Sequence, residues 1–254
     1  MLWPMSPGVL PPHPQLTRYW LGNSQKRSFL RQIFDDTATD YDRLENILSL
    51  GSGKFYRRRA LARAGLRAGM SVLDVAIGTG LVAREAKRLV GADGRVTGVD
   101  PSIGMVEEAR MTLDLPVVLG VGEQLPFEEQ AFDFLSMGYA LRHLADLRTA
   151  FSEYFRVLKP GGRICILELV CPEARVQRKM LEAYFRGLVP ILARMVGTRQ
   201  GTQKLWTYYW ETIEQCVPTT VVLDALATAG FIHVRKHREL GLFAEYTAVR
   251  PTPR

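Results

Sequence analysis

Ser71-Val-Leu-Asp-Val-Ala-Ile-Gly-Thr-Gly80 is the stretch that decides the fold. Val72, Leu73, Val75 and Ala76 make an apolar run of strand length, and Gly78-Thr79-Gly80 turns the chain toward a helical pattern starting at Leu81. Two glycines spaced by one residue let a ligand lie directly on the backbone, where a Cβ would collide with it. Asp74 stands inside the apolar run, where an unpartnered carboxylate is costly. It therefore calls for donors, either nearby amides or the ammonium of a ligand. A dinucleotide site also fits this much of the pattern.

Moving outward, Arg95-Val-Thr-Gly-Val-Asp100 reads as the next strand, ending on a second carboxylate. Asp100 falls about twenty residues past the glycine turn, where α/β nucleotide folds hold an acid for ribose hydroxyls. Ala83 occupies the third-glycine position of a dinucleotide fold, and no basic or hydroxyl cluster follows to hold phosphates. Asp74 and Asp100 together suit a ligand with a cationic amino-acid end and a ribose. S-adenosyl-L-methionine has both.

The 254 residues suit one α/β domain, and 47% hydrophobic content is that of a globular chain. The apolar stretch 181–196 is broken by Glu182, Arg186 and Arg194, so no membrane span is expected. Pro4, Pro7, Pro11, Pro12 and Pro14, without a basic n-region, suggest a disordered leader over residues 1–27 rather than a signal peptide. Cys165, Cys171 and Cys216 show no metal spacing; no metal is expected, and the odd count favours a reducing cytoplasm. The net charge of +7 gathers at Lys54, Arg57, Arg58, Arg59 and Arg63 and along residues 175–199. A solvated helix face is the default reading, with an anionic membrane surface or an anionic substrate as alternatives; no RNA-binding signature supports nucleic acid.

Helical spacing of Phe34, Tyr41, Leu44, Ile47 and Leu48 marks a helical lid over 28–69. A core over 70–172 alternates strands near 71–76, 95–100, 116–121, 132–137 and 163–170 with helices near 81–90, 103–113 and 146–157. That alternation implies α/β architecture with a mainly parallel sheet. Residues 173–216 break the rhythm with an aromatic helical stretch, a candidate substrate cap bearing Tyr184, Leu188 and Trp206. The same aromatics could serve only to glue helices together. A helix near 219–229 and strands near 231–237 and 242–249 complete the core over 217–250, leaving a tail at 251–254; the two strands suggest an antiparallel hairpin at the sheet edge.

Over roughly residues 33–236 the chain resembles class I S-adenosylmethionine-dependent methyltransferases, and more narrowly the ubiquinone/menaquinone biosynthesis C-methyltransferases. The resemblance rests on Phe34-Asp35, Tyr41-Asp42, Val72–Gly80, Glu123-Gln-Leu-Pro-Phe127, Ala140-Leu-Arg-His143, Arg156-Val-Leu-Lys-Pro-Gly-Gly162, Leu167-Glu-Leu-Val-Cys-Pro172 and Ala229-Gly-Phe231. It implies a Rossmann-like class I methyltransferase fold, a mainly parallel seven-stranded sheet with an antiparallel C-terminal edge. It also implies S-adenosyl-L-methionine held by Tyr41, Asp74, Ala76, Gly78, Thr79, Gly80, Asp100, Pro101, Ser102, Met105, Gly122 and Glu123. Many relatives carry a polar side chain where this chain has Val121. Adenine is therefore expected on backbone groups at Gly122 and Glu123 and on apolar packing at Ile103 and Met105.

Carbon methylation of an aromatic ring needs phenolate character, hence a base or a stabilising cation. The resemblance assigns Arg142 to activating a hydroquinone, and His143, where the family usually has asparagine, is a candidate proton acceptor. Tyr139 offers a third group at the same strand end, with Glu168 nearby. Spacing alone also allows Arg142 to pair with Asp146 at i,i+4. Glu45 replaces a common asparagine, Ala140 a glycine, and Gly197-Thr-Arg-Gln-Gly201 lengthens the cap. These departures lie on the acceptor side and leave the acceptor open. The expectation is a cytoplasmic, membrane-peripheral methyltransferase acting at carbon on a lipophilic hydroquinone-like or prenylated molecule, with a homodimer left open. The rivals are O- or N-methylation of a metabolite or phospholipid headgroup, and a non-catalytic cofactor-binding protein.

Overall fold

The first strand, β1 (Ser71–Val75), lies near the middle of a seven-stranded sheet of order β3-β2-β1-β4-β5-β7-β6 in the computed structural model, which describes residues 8–39, 41–42, 45, 52–195 and 201–253. β2 (Arg95–Asp100), β3 (Val117–Leu119), β4 (Phe132–Gly138) and β5 (Leu158–Leu169) run parallel with it. At the C-terminal edge β7 (Phe243–Val249) inserts antiparallel between β5 and β6 (Ile232–Glu239). Alternation along the strands fills both faces. Val72 and its neighbour Phe134 join one buried cluster, whereas Leu73 and its neighbour Leu135 join the other.

The first cluster takes α1 (Asn23–Asp35) no part of its core; it is closed by α2 (Gly53–Arg63), α3 (Leu81–Val90) and α4 (Ile103–Thr112) through Ala60, Leu61, Ala83, Ala86, Val106 and Ala109. In α3 the buried Val82, Ala83, Ala86 and Val90 recur at helical spacing, so one face meets the sheet. α4 begins at Ser102, whose hydroxyl oxygen accepts from the Met105 amide at 3.1 Å. The opposite cluster is built with α5 (Leu147–Val157), which buries Phe151 and Tyr154. α5 ends at Val157, and Leu158 pairs at once with Phe132. Leu158-Lys-Pro-Gly-Gly162, which falls between the expected helix near 146–157 and the expected strand near 163–170, therefore lies inside β5 around a shift of register, with Gly161 at φ 78°.

The cap comprises α6 (Arg175–Ala183), a π-helical turn (Tyr184–Leu188), α7 (Val189–Met195) and α8 (Gly201–Glu214); α9 (Thr219–Thr228) then returns to the core. Tyr208 and Trp210 are fully buried within a cap cluster containing Leu181, Phe185, Val189 and Trp206. Those two residues hold helices together, as the blander reading of the aromatics supposed.

The leader expectation needs correction. Leu10, Leu16 and Trp20 are buried. The Leu147 amide donates to the Leu10 carbonyl at 2.9 Å, and the Val217 amide to the Pro12 carbonyl at 2.8 Å. The Leu10 amide donates to Asp146 Oδ1 at 2.8 Å. Residues 9–21 form a strap against the core and cap because the apolar side chains between the prolines have somewhere to bury; residues 1–7 lie outside the described residues. Helix α1 also begins earlier than the expected lid, while Leu44, Ile47, Leu48 and residues 197–200 fall outside the described part. Among the described residues no helix is long and apolar enough to cross a membrane.

Candidate active site

At the end of β1 the backbone enters the left-handed region three times, at Ala76 (φ 53°), Gly78 (φ 55°) and Gly80 (φ 90°). The turn aims the Gly78 amide at Asp100 Oδ2, 2.8 Å away, while the Ser102 amide donates to Oδ1 at 2.9 Å. Both donors favour the carboxylate, yet burial wins and pushes the Asp100 pKa up to about 6. Asp74 Oδ1 accepts the Ser136 hydroxyl at 2.6 Å, and burial pushes its pKa up to about 7. A cation that fits against Asp74 would restore its charge.

A side chain at Gly78 would meet nothing, so this glycine is required by its φ. Gly80 differs: a Cβ there would fall inside the Leu113 side chain, and the residue does not line the cavity. Its expected cofactor role is therefore corrected to packing between turn and α4. Gly80→Ala is expected to destabilise the fold by roughly 1–3 kcal/mol through strained φ and this overlap. A urea midpoint unchanged from wild type would refute the packing role.

The lid clasps this turn. Asp35, at the end of α1, accepts from the Ser102 hydroxyl at 2.5 Å and from the Gly104 amide at 2.9 Å. Asp42 accepts from the Thr79 hydroxyl and lies 3.5 Å from Arg84. The Tyr41 hydroxyl meets that of Tyr209 in the cap at 3.0 Å.

Lid, sheet and cap enclose one cavity of about 770 Å³. Tyr41, Asp74, Ala76, Gly78, Thr79, Asp100, Pro101, Ser102, Met105, Gly122 and Glu123 line it on the cofactor side. Tyr139, Arg142, His143, Tyr184 and Trp206 line the rest. Val121 lines the cavity beside Gly122, whereas Ile103 is half exposed and outside it. Glu123 accepts from the Ala145 amide at 2.5 Å, which fixes the segment after β4. Leu188, expected in the acceptor pocket, is 49% exposed at the end of the π-helical turn and does not line the cavity.

Tyr139 directly follows β4 at φ 59°, a left-handed conformation that is strained for a tyrosine, and a short 3-10 turn (Leu141–His143) comes next. Arg142 is 1% exposed and pairs with Glu168 of β5 through Nη1 and its own backbone amide, not with Asp146. Asp146 instead caps α5 by accepting from the Arg148 and Thr149 amides. The Arg142 guanidinium carbon lies 4.6 Å from the Tyr209 ring centroid. His143 Nδ1 meets the Tyr208 hydroxyl at 2.8 Å, and the ring stacks on both Tyr208 and Tyr209. Burial and the Arg142 charge hold its pKa well below 6.5, so it is neutral at neutral pH. Arg142 Nε and His143 Nε2 have no hydrogen-bond partner.

Two lining residues escaped the sequence reading. Lys26 is buried, donates to the Leu144 carbonyl at 2.7 Å, and has its pKa lowered to about 8 by burial. Arg57, grouped by sequence with the surface charge, is 4% exposed and pairs with Glu45 at 2.6 Å. Its spacing to Ala60, Leu61 and Ala64 on one helix face was the available signal.

The donor set fits S-adenosyl-L-methionine. Asp74 suits the ammonium, Asp100 the ribose hydroxyls, and Val121 with Met105 an apolar face of adenine. A family profile of the ubiE/COQ5 methyltransferases matches residues 22–250. The chain belongs to that family. This ubiE/COQ5 methyltransferase is 32% identical over 237 residues to the demethylmenaquinone methyltransferase of Symbiobacterium thermophilum, covering 90% of this chain and 91% of the relative. To the demethylmenaquinone methyltransferase of Staphylococcus aureus MRSA252 it is 35% identical over 177 residues, 68% of this chain and 73% of the relative. A SAM-dependent methyltransferase from Thermotoga maritima shares the fold with a TM-score of 0.63 at 19% identity, over 86% of this chain and 99% of that one. The [4+2]-cyclase SpnF does so with 0.64 at 17%, over 89% and 97%. Because the fold also serves a cyclase, likeness of fold alone does not decide the chemistry. The family does: the chain is an S-adenosylmethionine-dependent methyltransferase.

Proposed function

We propose that this enzyme methylates a ring carbon of a lipophilic, hydroquinone-like prenylated acceptor. The observation that carries the reading is the single cavity joining Asp74 and Asp100 to Arg142 and His143 through an aromatic wall. The relatives named as demethylmenaquinone methyltransferases support the same acceptor class. The cap over 173–216 then serves as the acceptor cover, and the basic surface suits a membrane-peripheral place of work on the cytoplasmic side.

S-adenosylmethionine supplies an electrophilic methyl, whose C–S electron pair stays with sulfur as the new C–C bond forms. Around it the protein aligns, activates and excludes water. Arg142, already paired with Glu168, offers its remaining Nε–H to an acceptor oxygen and stabilises phenolate character there. Neutral His143 offers Nε2 to the acceptor hydroxyl proton when the Tyr208 hydroxyl accepts at Nδ1. Loss of the ring proton to water after transfer restores aromaticity, and the proton held by His143 returns to the ring oxygen. Trp206, Tyr184 and Tyr209 supply the apolar wall.

The test pairs labelled S-adenosylmethionine with prenylated hydroquinones, simple phenols and phospholipid amines, and locates the label by mass spectrometry. Label on a ring carbon of the hydroquinones is expected; label on oxygen or nitrogen would overturn the reading. His143→Phe keeps a stacked ring but removes the nitrogen, and should lower turnover by about 10²-fold or more. With its pKa held well below 6.5, the wild-type rate should not fall on this group's account between pH 8 and pH 6.5. A descending limb in that range that disappears in His143→Phe would contradict the neutral-histidine assignment.

A further inference from the structure

Arg57 takes no part in the transfer as set out above, yet it is the second arginine sealed against the cavity wall. It shares the buried face of α2 with Ala60 and Leu61, and its Nη2 donates to Glu45, which also lines the cavity. Like Arg142, it keeps an Nε with no hydrogen-bond partner. Its guanidinium carbon stands 5.8 Å from the Tyr139 ring centroid. Tyr41, hydrogen-bonded to Tyr209, lies within electrostatic range of both arginines. The cavity wall thus carries two arginines of like construction, Arg142 paired with Glu168 from the strand ends and Arg57 paired with Glu45 from the lid.

Stability does not explain the lid pair. Apolar side chains of similar volume commonly do as well as a buried ion pair, and an unmet guanidinium N–H adds a desolvation cost. A ligand oxygen at Nε would remove that cost.

We propose that Arg57 and Glu45 form a second oxygen-binding subsite, which takes the acceptor oxygen remote from the methylated carbon and selects rings bearing two oxygens. The proposal rests on the hydroquinone reading above. A hydroquinone carries hydroxyls at opposite ends of its ring. While one meets Arg142 and His143, the other accepts from Arg57 Nε–H and donates to the Glu45 carboxylate. This contact persists unchanged through methyl transfer, so it acts on KM rather than kcat. Arg57 is accordingly a specificity-determining residue.

The experiment compares full-length wild type with an Arg57→Met/Glu45→Gln double variant, which removes both charges together and leaves no buried charge unpaired. Each is assayed with S-adenosylmethionine on a short-chain prenylated hydroquinone and on the matching phenol lacking the remote hydroxyl. The variant should raise the hydroquinone KM by about 10–100-fold with kcat within about threefold, and leave the phenol KM unchanged. Should the double variant not fold, Glu45→Gln alone is read the same way, with a smaller loss of preference for the hydroquinone. Equal losses on both rings, or an unchanged hydroquinone KM, overturn the subsite. If wild type methylates neither ring, the hydroquinone reading falls and takes the subsite with it. If wild type methylates the hydroquinone while the variant loses both rings in parallel, only the subsite falls.

Discussion

Asp74→Asn is expected to cripple cofactor binding while raising the stability of the ligand-free protein. The carboxylate is buried beside Ser136, and burial lifts its pKa from 3.8 to about 7. The folded chain therefore binds a proton there more tightly than the unfolded chain does. This contribution to stability is fully present below the unfolded value near pH 4, and is lost as the pH rises toward 7. At pH 8 the folded protein carries a buried charge whose cost is on the order of 3–5 kcal/mol. Asparagine removes the charge, and the Ser136 hydroxyl can turn to accept from the new amide. The melting-temperature gap between variant and wild type should open between pH 4 and pH 7 and then level off.

The cofactor side of the same substitution runs the other way. An ammonium seated against Asp74 needs the ionised form, so wild-type binding should strengthen from pH 6 to pH 8 and release protons near neutrality. Calorimetry in buffers of different ionisation enthalpy measures that release. Asp74→Asn should weaken S-adenosylmethionine by about 10–100-fold, the range for a charged hydrogen bond, and flatten the pH dependence. Unaltered affinity in the variant would show that Asp74 does not meet the ammonium.

The second large effect is at Arg142. Losing one electrostatic stabiliser of the transition state should lower turnover by about 10²–10³-fold in Arg142→Ala. The same change strands Glu168, 1% exposed, without its cation, at a cost of about 3–5 kcal/mol. Chemistry and stability separate in the Arg142→Ala/Glu168→Ala pair, which should regain much of the melting temperature and none of the turnover. Arg142→Lys should recover turnover only in part, since an ammonium lacks the planar fork. Asp146→Ala removes the cap of α5, about 1 kcal/mol, and should leave turnover intact. Near-wild-type kcat in the double variant would end the carbon-activation mechanism.

What the sequence made legible is local. The apolar run, the glycine turn and the two acids all lie between Ser71 and Asp100; strand alternation and helix periodicity then carry the rest of the sheet. What it hid depends on contacts between distant segments. Spacing left open a pair between Arg142 and Asp146, but i,i+4 neighbours stack only inside a helix. Arg142 sits in the turn before α5 begins at Leu147, so its side chain is free to reach β5. The charge of Arg57 masked its place on a buried helix face. Gly80 shows the converse error, in which a correct motif suggested ligand contact where the neighbour is Leu113.

The strap also bears on how the chain is made. Leu10 and Pro12 find their backbone partners at Leu147 and Val217. During synthesis from the N-terminus, the strap leaves the ribosome long before either partner exists, and Val217 follows the whole cap. Sheet and lid can begin to assemble while residues 9–21 wait, with Leu16 and Trp20 still in water. A segment synthesised well before its partners thus waits for them, and seating it closes the assembly of the cap.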